Sequence, residues 1–207
     1  MTSTMQLTPI NDYKPSNESN SMIYISASPG TDLWRKPPST DIYNVPSYLA
    51  FLPVEKFQRA RVTVKADWTR QYDQGGLVLF LPEWPTQSLW VKSGIEFVDG
   101  KPNMSTVGAR DAADWSLLPL PEGTTSVTLE IEREEVNEKN GTGTSLWVYL
   151  IEGEERKAVR ELTWVFKEKA DLANRISVGI YAARPTKLGD NDKERLDVTF
   201  DDLSINF

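Results

Sequence analysis

Apolar and polar residues alternate along most of this chain with a period of two. Ala60, Val62, Val64, Ala66 and Trp68 interleave with Arg59, Arg61, Thr63, Lys65 and Asp67, the pattern of a strand with one buried and one wetted face. The run Leu77 to Leu81 is apolar throughout and lies between Gly75-Gly76 and Pro82, which predicts a central strand covered on both faces. Further strands are expected over Val127 to Glu132, Leu146 to Ile151, Leu162 to Phe166, Ile176 to Ala182 and Leu196 to Phe200. The last continues to Phe207 after a parity shift at Asp201-Asp202, which predicts a bulge. Asn140-Gly141 sits between two alternating runs and marks a hairpin tip, and the only helical candidate is Lys167 to Asn174. Many short antiparallel strands separated by turn signals imply an all-β, two-sheet antiparallel sandwich. Residues 1–21, rich in Ser, Thr and Asn, read as a flexible leader, and 22–207 as a single β-sandwich domain.

The strand expected over 89 to 97 carries the most chemistry. Its period places Leu89, Val91, Ile95 and Phe97 on one face and Trp90, Lys92 and Glu96 on the other, so an aromatic plate, a cation and a carboxylate share one surface. Gly94 falls between Lys92 and Glu96 on that face, where a missing side chain would leave a recess. The bland alternative is a Lys92–Glu96 ion pair on a wetted strand, contributing at most about 1 kcal/mol. Tyr72 and Gln74 precede the central strand, and Asp114-Trp115-Ser116 follows; these add hydrogen-bonding groups and a second aromatic candidate. Trp34, beside Arg35 and a Pro-Pro pair, is a third. The chain has seven tryptophans, and most are expected to pack in the core or at its edges.

Composition narrows the chemistry. The 207 residues carry a net charge of −7 and no basic run, which argues against nucleic acid and an anionic membrane as partners. There is no cysteine and no histidine. Disulfides, structural zinc sites and Ser-His-Asp or Cys-His triads are thereby excluded, leaving carboxylates, Lys, Tyr and Arg for proton transfer. No metal or cofactor is called for. Residues 1–21 lack an apolar core of signal-peptide length, no stretch reaches a membrane span, and a cytosolic location is expected. Asn17-Glu18-Ser19, Asn103-Met104-Ser105 and Asn140-Gly141-Thr142 read as chance glycosylation patterns. Glu130, Glu132 and Glu135 have the spacing of a glucanase acidic motif with Glu in the middle place, but the run leads into the Asn140-Gly141 tip and reads as a solvated hairpin arm. Asp190-Asn191-Asp192 with Glu194 lacks the glycine and distal glutamate of a calcium loop and reads as solvated too.

Four blocks, Tyr72-Asp73-Gln74-Gly75-Gly76-Leu77, Trp90-Val91-Lys92-Ser93-Gly94-Ile95-Glu96, Asp114-Trp115-Ser116 and Val198-Thr199-Phe200-Asp201-Asp202, resemble the regulation-of-enolase-like family of fungal and bacterial proteins. That family belongs to the concanavalin A-like lectin and glucanase superfamily, and the resemblance runs from about Asp32 to the C-terminus. It implies a jelly roll with a concave sheet often used for glycans. Members often carry Ser-Asp-Trp-Ser where this chain has Ala113-Asp114-Trp115-Ser116, so that first hydroxyl is absent here.

The leading expectation is a lectin-like sandwich binding a small polar or polycyclic ligand, carbohydrate included. Trp90 or Trp115 would supply stacking area, and Lys92, Glu96, Asp114 and Gln74 would orient the ligand. An enzyme on the same pocket is the alternative, with Lys92, Glu96 and Asp114 as catalytic groups. A lyase or pericyclase of secondary metabolism is favoured over a glycoside hydrolase. A regulatory protein acting on metabolism is a third reading, implied by the resemblance alone. No oligomeric state is specified.

Overall fold

The computed structural model describes residues 6–11, 22–83, 85, 89–135, 143–167 and 175–207. The expected hairpin tip at Asn140-Gly141, the helical stretch beyond Lys167, Trp84 and most of the expected leader lie outside the described residues. In chain order the strands are β1 (Thr8–Ile10), β2 (Ile23–Ala27), β3 (Leu33–Lys36), β4 (Thr40–Tyr43), β5 (Ser47–Pro53), β6 (Arg59–Lys65), β7 (Gln74–Leu81) and β8 (Leu89–Val98), followed by β9 (Lys101–Ala109), β10 (Ala113–Pro119), β11 (Ser126–Arg133), β12 (Leu146–Glu152), β13 (Glu155–Leu162), β14 (Arg175–Ala183) and β15 (Leu196–Asn206). They form a seven-stranded sheet in the order β1-β5-β14-β7-β8-β9-β10, a six-stranded sheet in the order β13-β12-β11-β6-β15-β2, and the separate hairpin β3-β4. The architecture is the expected antiparallel β-sandwich.

Parity decides what each face covers. In β7, Leu77, Leu79 and Leu81 join the core between the sheets, with Val62 and Val64 of β6 and Leu129 and Ile131 of β11 opposite them. Val78 and Phe80 point the other way and form a second cluster with Trp90, Val107, Tyr181 and Leu33. Hairpin β3-β4 therefore packs on the far face of the seven-stranded sheet, and the uninterrupted apolar run of β7 is explained by cover on both sides. Burying this much apolar side chain at about 25 cal/mol per Å² is the main stabilising term.

Turn chemistry fixes the register around β8. Asp99 and Gly100 have φ of 51° and 76°, the left-handed pair that a two-residue hairpin requires, and they join β8 to β9 with Val98 opposite Lys101. The parity shift in β15 is a register irregularity between Asp201 and Ser204, with Asp202 at φ 53°. Two expectations change. Leu162 ends β13, and residues 163–167 turn instead of continuing as a strand. Residues 8–10, within the expected leader, pair antiparallel with β5.

Candidate functional site

The even parity of β7 and β8 carries Gln74, Lys92 and Glu96 to the face turned away from the six-stranded sheet, where Gln74 lies opposite Glu96 in register. Beyond the edge of hairpin β3-β4 this face holds a cavity of about 390 Å³. Gln74, Lys92 and Glu96 line it together with the rings of Trp34, Tyr72 and Trp115 and with Asp32 and Lys36. The rings meet edge to face: Trp34 and Trp115 have centroids 5.9 Å apart at 83°, and Tyr72 and Trp115 are 6.3 Å apart at 67°.

Lys92 and Glu96 are only 2% and 5% exposed. A buried charge requires hydrogen-bonded company, and each has it. Lys92 Nζ donates to Gln74 Oε1 at 2.6 Å and lies 3.7 Å from Asp32 Oδ1, with the Trp34 and Trp90 rings 5.8 and 5.9 Å away. Glu96 Oε2 accepts from Ser105 Oγ at 2.6 Å and from Trp115 Nε1 at 3.0 Å. The ammonium's ion-pair partner is thus Asp32, from the hairpin, and not Glu96. Gln74 is held from both sides, its Nε2 donating to the Tyr72 carbonyl at 3.1 Å and its Oε1 accepting from Tyr181 Oη at 3.3 Å. Burial, reinforced by Glu96 and Asp32, pushes the Tyr181 phenol well above its ordinary range, so it stays a neutral donor.

Of the residues singled out in the sequence, Trp34, Tyr72, Gln74, Lys92, Glu96 and Trp115 come together at the cavity. Three do not. Trp90 shares their face but is fully buried in the second apolar cluster, with Leu33 and Val45 among its members, so it offers no stacking surface. Gly94 faces Gly76 in register, and a Cβ there would stand 2.0 Å from the Gly75 carbonyl oxygen; its missing side chain admits a neighbouring backbone and leaves no recess. Asp114 points opposite to Trp115 and pairs with Arg160 of β13 at 2.6 Å. Asp32, Lys36, Ser105 and Tyr181 were not anticipated. The first two were legible, because the parity that exposes Trp34 puts Asp32 and Lys36 on the same face.

The remaining acidic runs have structural partners. Glu130 is 3% exposed, which corrects the solvated-arm expectation. It lies 2.6 Å from Arg156, which also binds Glu132 and stacks over Tyr149 at 4.0 Å. Asp192 and Glu194 both bind Arg70, and hydrogen bonds from Arg70 and the Leu188 amide hold the Asp192 carboxyl down at about 2. Among the described residues no group of three or more Asp or Glu is disposed to hold a metal ion, and no helix is long and apolar enough to cross a membrane. Beneath the site, Arg184 donates from Nε and Nη2 to the two oxygens of the fully buried Asp73 at 2.9 and 2.8 Å, and Asp73 also accepts from the Thr69 and Arg70 amides. That cluster fixes the turn in which Tyr72 adopts φ 68°, turning its ring toward Trp115.

The family model described as "Protein of unknown function (DUF1349)" matches residues 10–207. "Uncharacterized protein AN7484" of Emericella nidulans is 46% identical over 165 residues, 80% of this chain and 78% of its own length. The crystal structure of a functionally unknown protein from Saccharomyces cerevisiae superposes with a TM-score of 0.75 at 20% identity, covering 97% of this chain and 96% of that one. The carbohydrate binding module CBM66 from Bacillus subtilis superposes with a TM-score of 0.50 at 10% identity over 98% and 97% of the two chains. These likenesses to solved structures place the fold among concanavalin-like β-sandwiches. The chain belongs to the DUF1349 family.

Proposed function

We propose that this DUF1349 protein is a lectin-like binder of a small polar ligand, glycans foremost, in the cavity between hairpin β3-β4 and strands β7, β8 and β10. The observation that carries the reading is the meeting of three aromatic side chains, Trp34, Tyr72 and Trp115, over a floor of hydrogen-bonded Lys92, Gln74 and Glu96. Such a cavity of about 390 Å³ has the size and make-up of small-molecule sites: aromatic area for stacking and a few fixed polar groups for orientation. The similarity in fold to a protein named as a carbohydrate binding module supports the glycan class. The test is a screen of glycans and small metabolites by tryptophan fluorescence. A hit whose affinity falls at least about tenfold in Trp115→Ala supports the proposal, and hits indifferent to Trp115→Ala and Tyr72→Ala would contradict it.

One observation favours a second reading, an enzyme on the same site: Lys92 and Glu96 are buried ionisable groups at a cavity floor, where general acids and bases are found. A lyase or a cyclase that holds its substrate in a productive conformation would suit a pocket without histidine or cysteine. Mass spectrometry of each hit after incubation separates the two readings, since a binder returns its ligand unchanged. An action on a metabolic enzyme rests on the resemblance to regulation-of-enolase-like proteins alone.

A further inference from the structure

Two of the three N–H bonds of Lys92 Nζ have no acceptor among the described residues, because Gln74 Oε1 is its hydrogen-bond partner and Asp32 Oδ1 stands off at 3.7 Å. A side chain only 2% exposed with unfilled donors at a cavity wall marks where a ligand must supply acceptors. Acceptors are open as well. Both protein donors to Glu96 converge on Oε2, leaving Oε1, and Asp32 Oδ1 takes the Leu33 amide at 2.8 Å, leaving Oδ2. The charges lining the cavity cancel, with Lys36 and Lys92 against Asp32 and Glu96.

From this alternation we propose that the site selects a neutral, hydroxyl-rich ring, a pyranose or furanose unit, over its acidic or amino counterparts. The inference rests on the binding reading above. A hydroxyl donates and accepts at once, so neighbouring hydroxyls can accept a hydrogen bond from Lys92 while donating one to Glu96 Oε1 or Asp32 Oδ2. A ligand carboxylate would satisfy Lys92 and Lys36 but stand against two carboxylates, and a ligand ammonium would meet two ammonium groups; like charges brought together at the cavity are unfavourable. The ring faces would pack on Trp115 and Tyr72, whose edges meet at the cavity.

Matched sugars test this directly: glucose, glucuronate and glucosamine, then galactose, galacturonate and galactosamine, each titrated at constant ionic strength. The reporter is the indole N–H resonance of Trp115, assigned by its loss in Trp115→Phe, because that N–H lies on Glu96. The expected result is a shift saturating with at least one neutral sugar at an affinity about tenfold or more above both charged analogues. Glu96→Gln, which leaves an excess positive charge, is expected to shift preference toward the uronate. A uronate or amino sugar that binds as tightly as its neutral parent overturns the neutral class while leaving a glycan site standing. No shift with any of the six overturns the hexose-type class, and the wider metabolite screen then decides the binding reading on its own.

Discussion

Two tryptophans near the site differ sharply in their surroundings, Trp90 in the core and Trp115 at the cavity. Period-two parity puts Trp90 on the same face as Lys92 and Glu96, and the structure agrees. Yet Trp90 is fully buried in the cluster that holds Leu33 of the hairpin, whereas Trp115 is 37% exposed and donates to Glu96 at the cavity. Parity reports a direction and says nothing of what a hairpin some fifty residues earlier lays on top. Trp90→Ala is therefore expected to cost about 3–5 kcal/mol of stability, the range for truncating a buried aromatic, whereas Trp115→Ala should leave stability within about 1 kcal/mol; urea unfolding of both checks this. Gly94 is a second case. Its role is close approach to β7, so Gly94→Val should push the strands apart and destabilise by about 3 kcal/mol or more, with the melting temperature falling before any ligand is added. An unchanged melting temperature with selective loss of binding would restore the recess reading.

At the scale of elements, the strands with clean alternation or unbroken apolar runs were legible, and β6, β7, β8, β11, β12, β14 and β15 stand near their expected bounds. The strands left unassigned are those whose pattern is blurred. β9 carries Asn103, Ser105 and Thr106 inside a buried run, because Ser105 and Thr106 are satisfied by Glu96 and Ser93 of β8 and Asn103 by the Lys101 carbonyl of its own strand. β13 is an exposed edge strand whose sequence is mostly charged. Hairpin β3-β4 lacks any apolar run of its own, yet it supplies Asp32, Trp34 and Lys36 to the site. Trp34→Ala should accordingly weaken ligand affinity by about tenfold in the wild type and by less when added to Lys92→Met, where the cation that faces the hairpin is already gone; a double-mutant cycle by calorimetry measures that coupling. The loop before β15 carries its own pH signature. Asp192 is held at about 2, below its ordinary 3.8, by Arg70 and the Leu188 amide. A depressed carboxyl contributes stability that is fully present above its unfolded value and is lost as pH falls through the folded one. Loop protection against hydrogen exchange should thus decline between about pH 4 and 2, and Asp192→Asn should flatten that decline.

At the scale of the molecule, the two-sheet architecture followed from composition and period, while the site followed only in part: parity gave Lys92 and Glu96 one face but not what lies across it. The reason is physical. A sandwich core needs only apolar residues at every second position, whereas the cavity depends on long-range placement: β10 at one sheet edge, hairpin β3-β4 lying across the face, and the Tyr72 turn fixed by Asp73 and Arg184. That buried pair joins the end of β14 to the turn before β7 and to the backbone leading into β15. Arg184→Met should destabilise by about 3–5 kcal/mol, since it leaves Asp73 charged and unpaired. The Asp73→Asn, Arg184→Met double variant should recover part of that loss in denaturant unfolding.

The central claim is that aromatic walls and a buried, hydrogen-bonded floor make one ligand site. Its most direct test is isothermal calorimetry of the best hit from the glycan and metabolite screen against wild type, Trp115→Ala, Lys92→Met and Glu96→Gln, each first shown to be folded by its unfolding curve. The account predicts that wild type binds one equivalent and that every folded variant loses about tenfold or more, with Lys92→Met weakening binding by about 1.5–3 kcal/mol through lost charge-assisted hydrogen bonds. Wild-type affinity in all three variants would contradict it and place the ligand elsewhere on the sandwich.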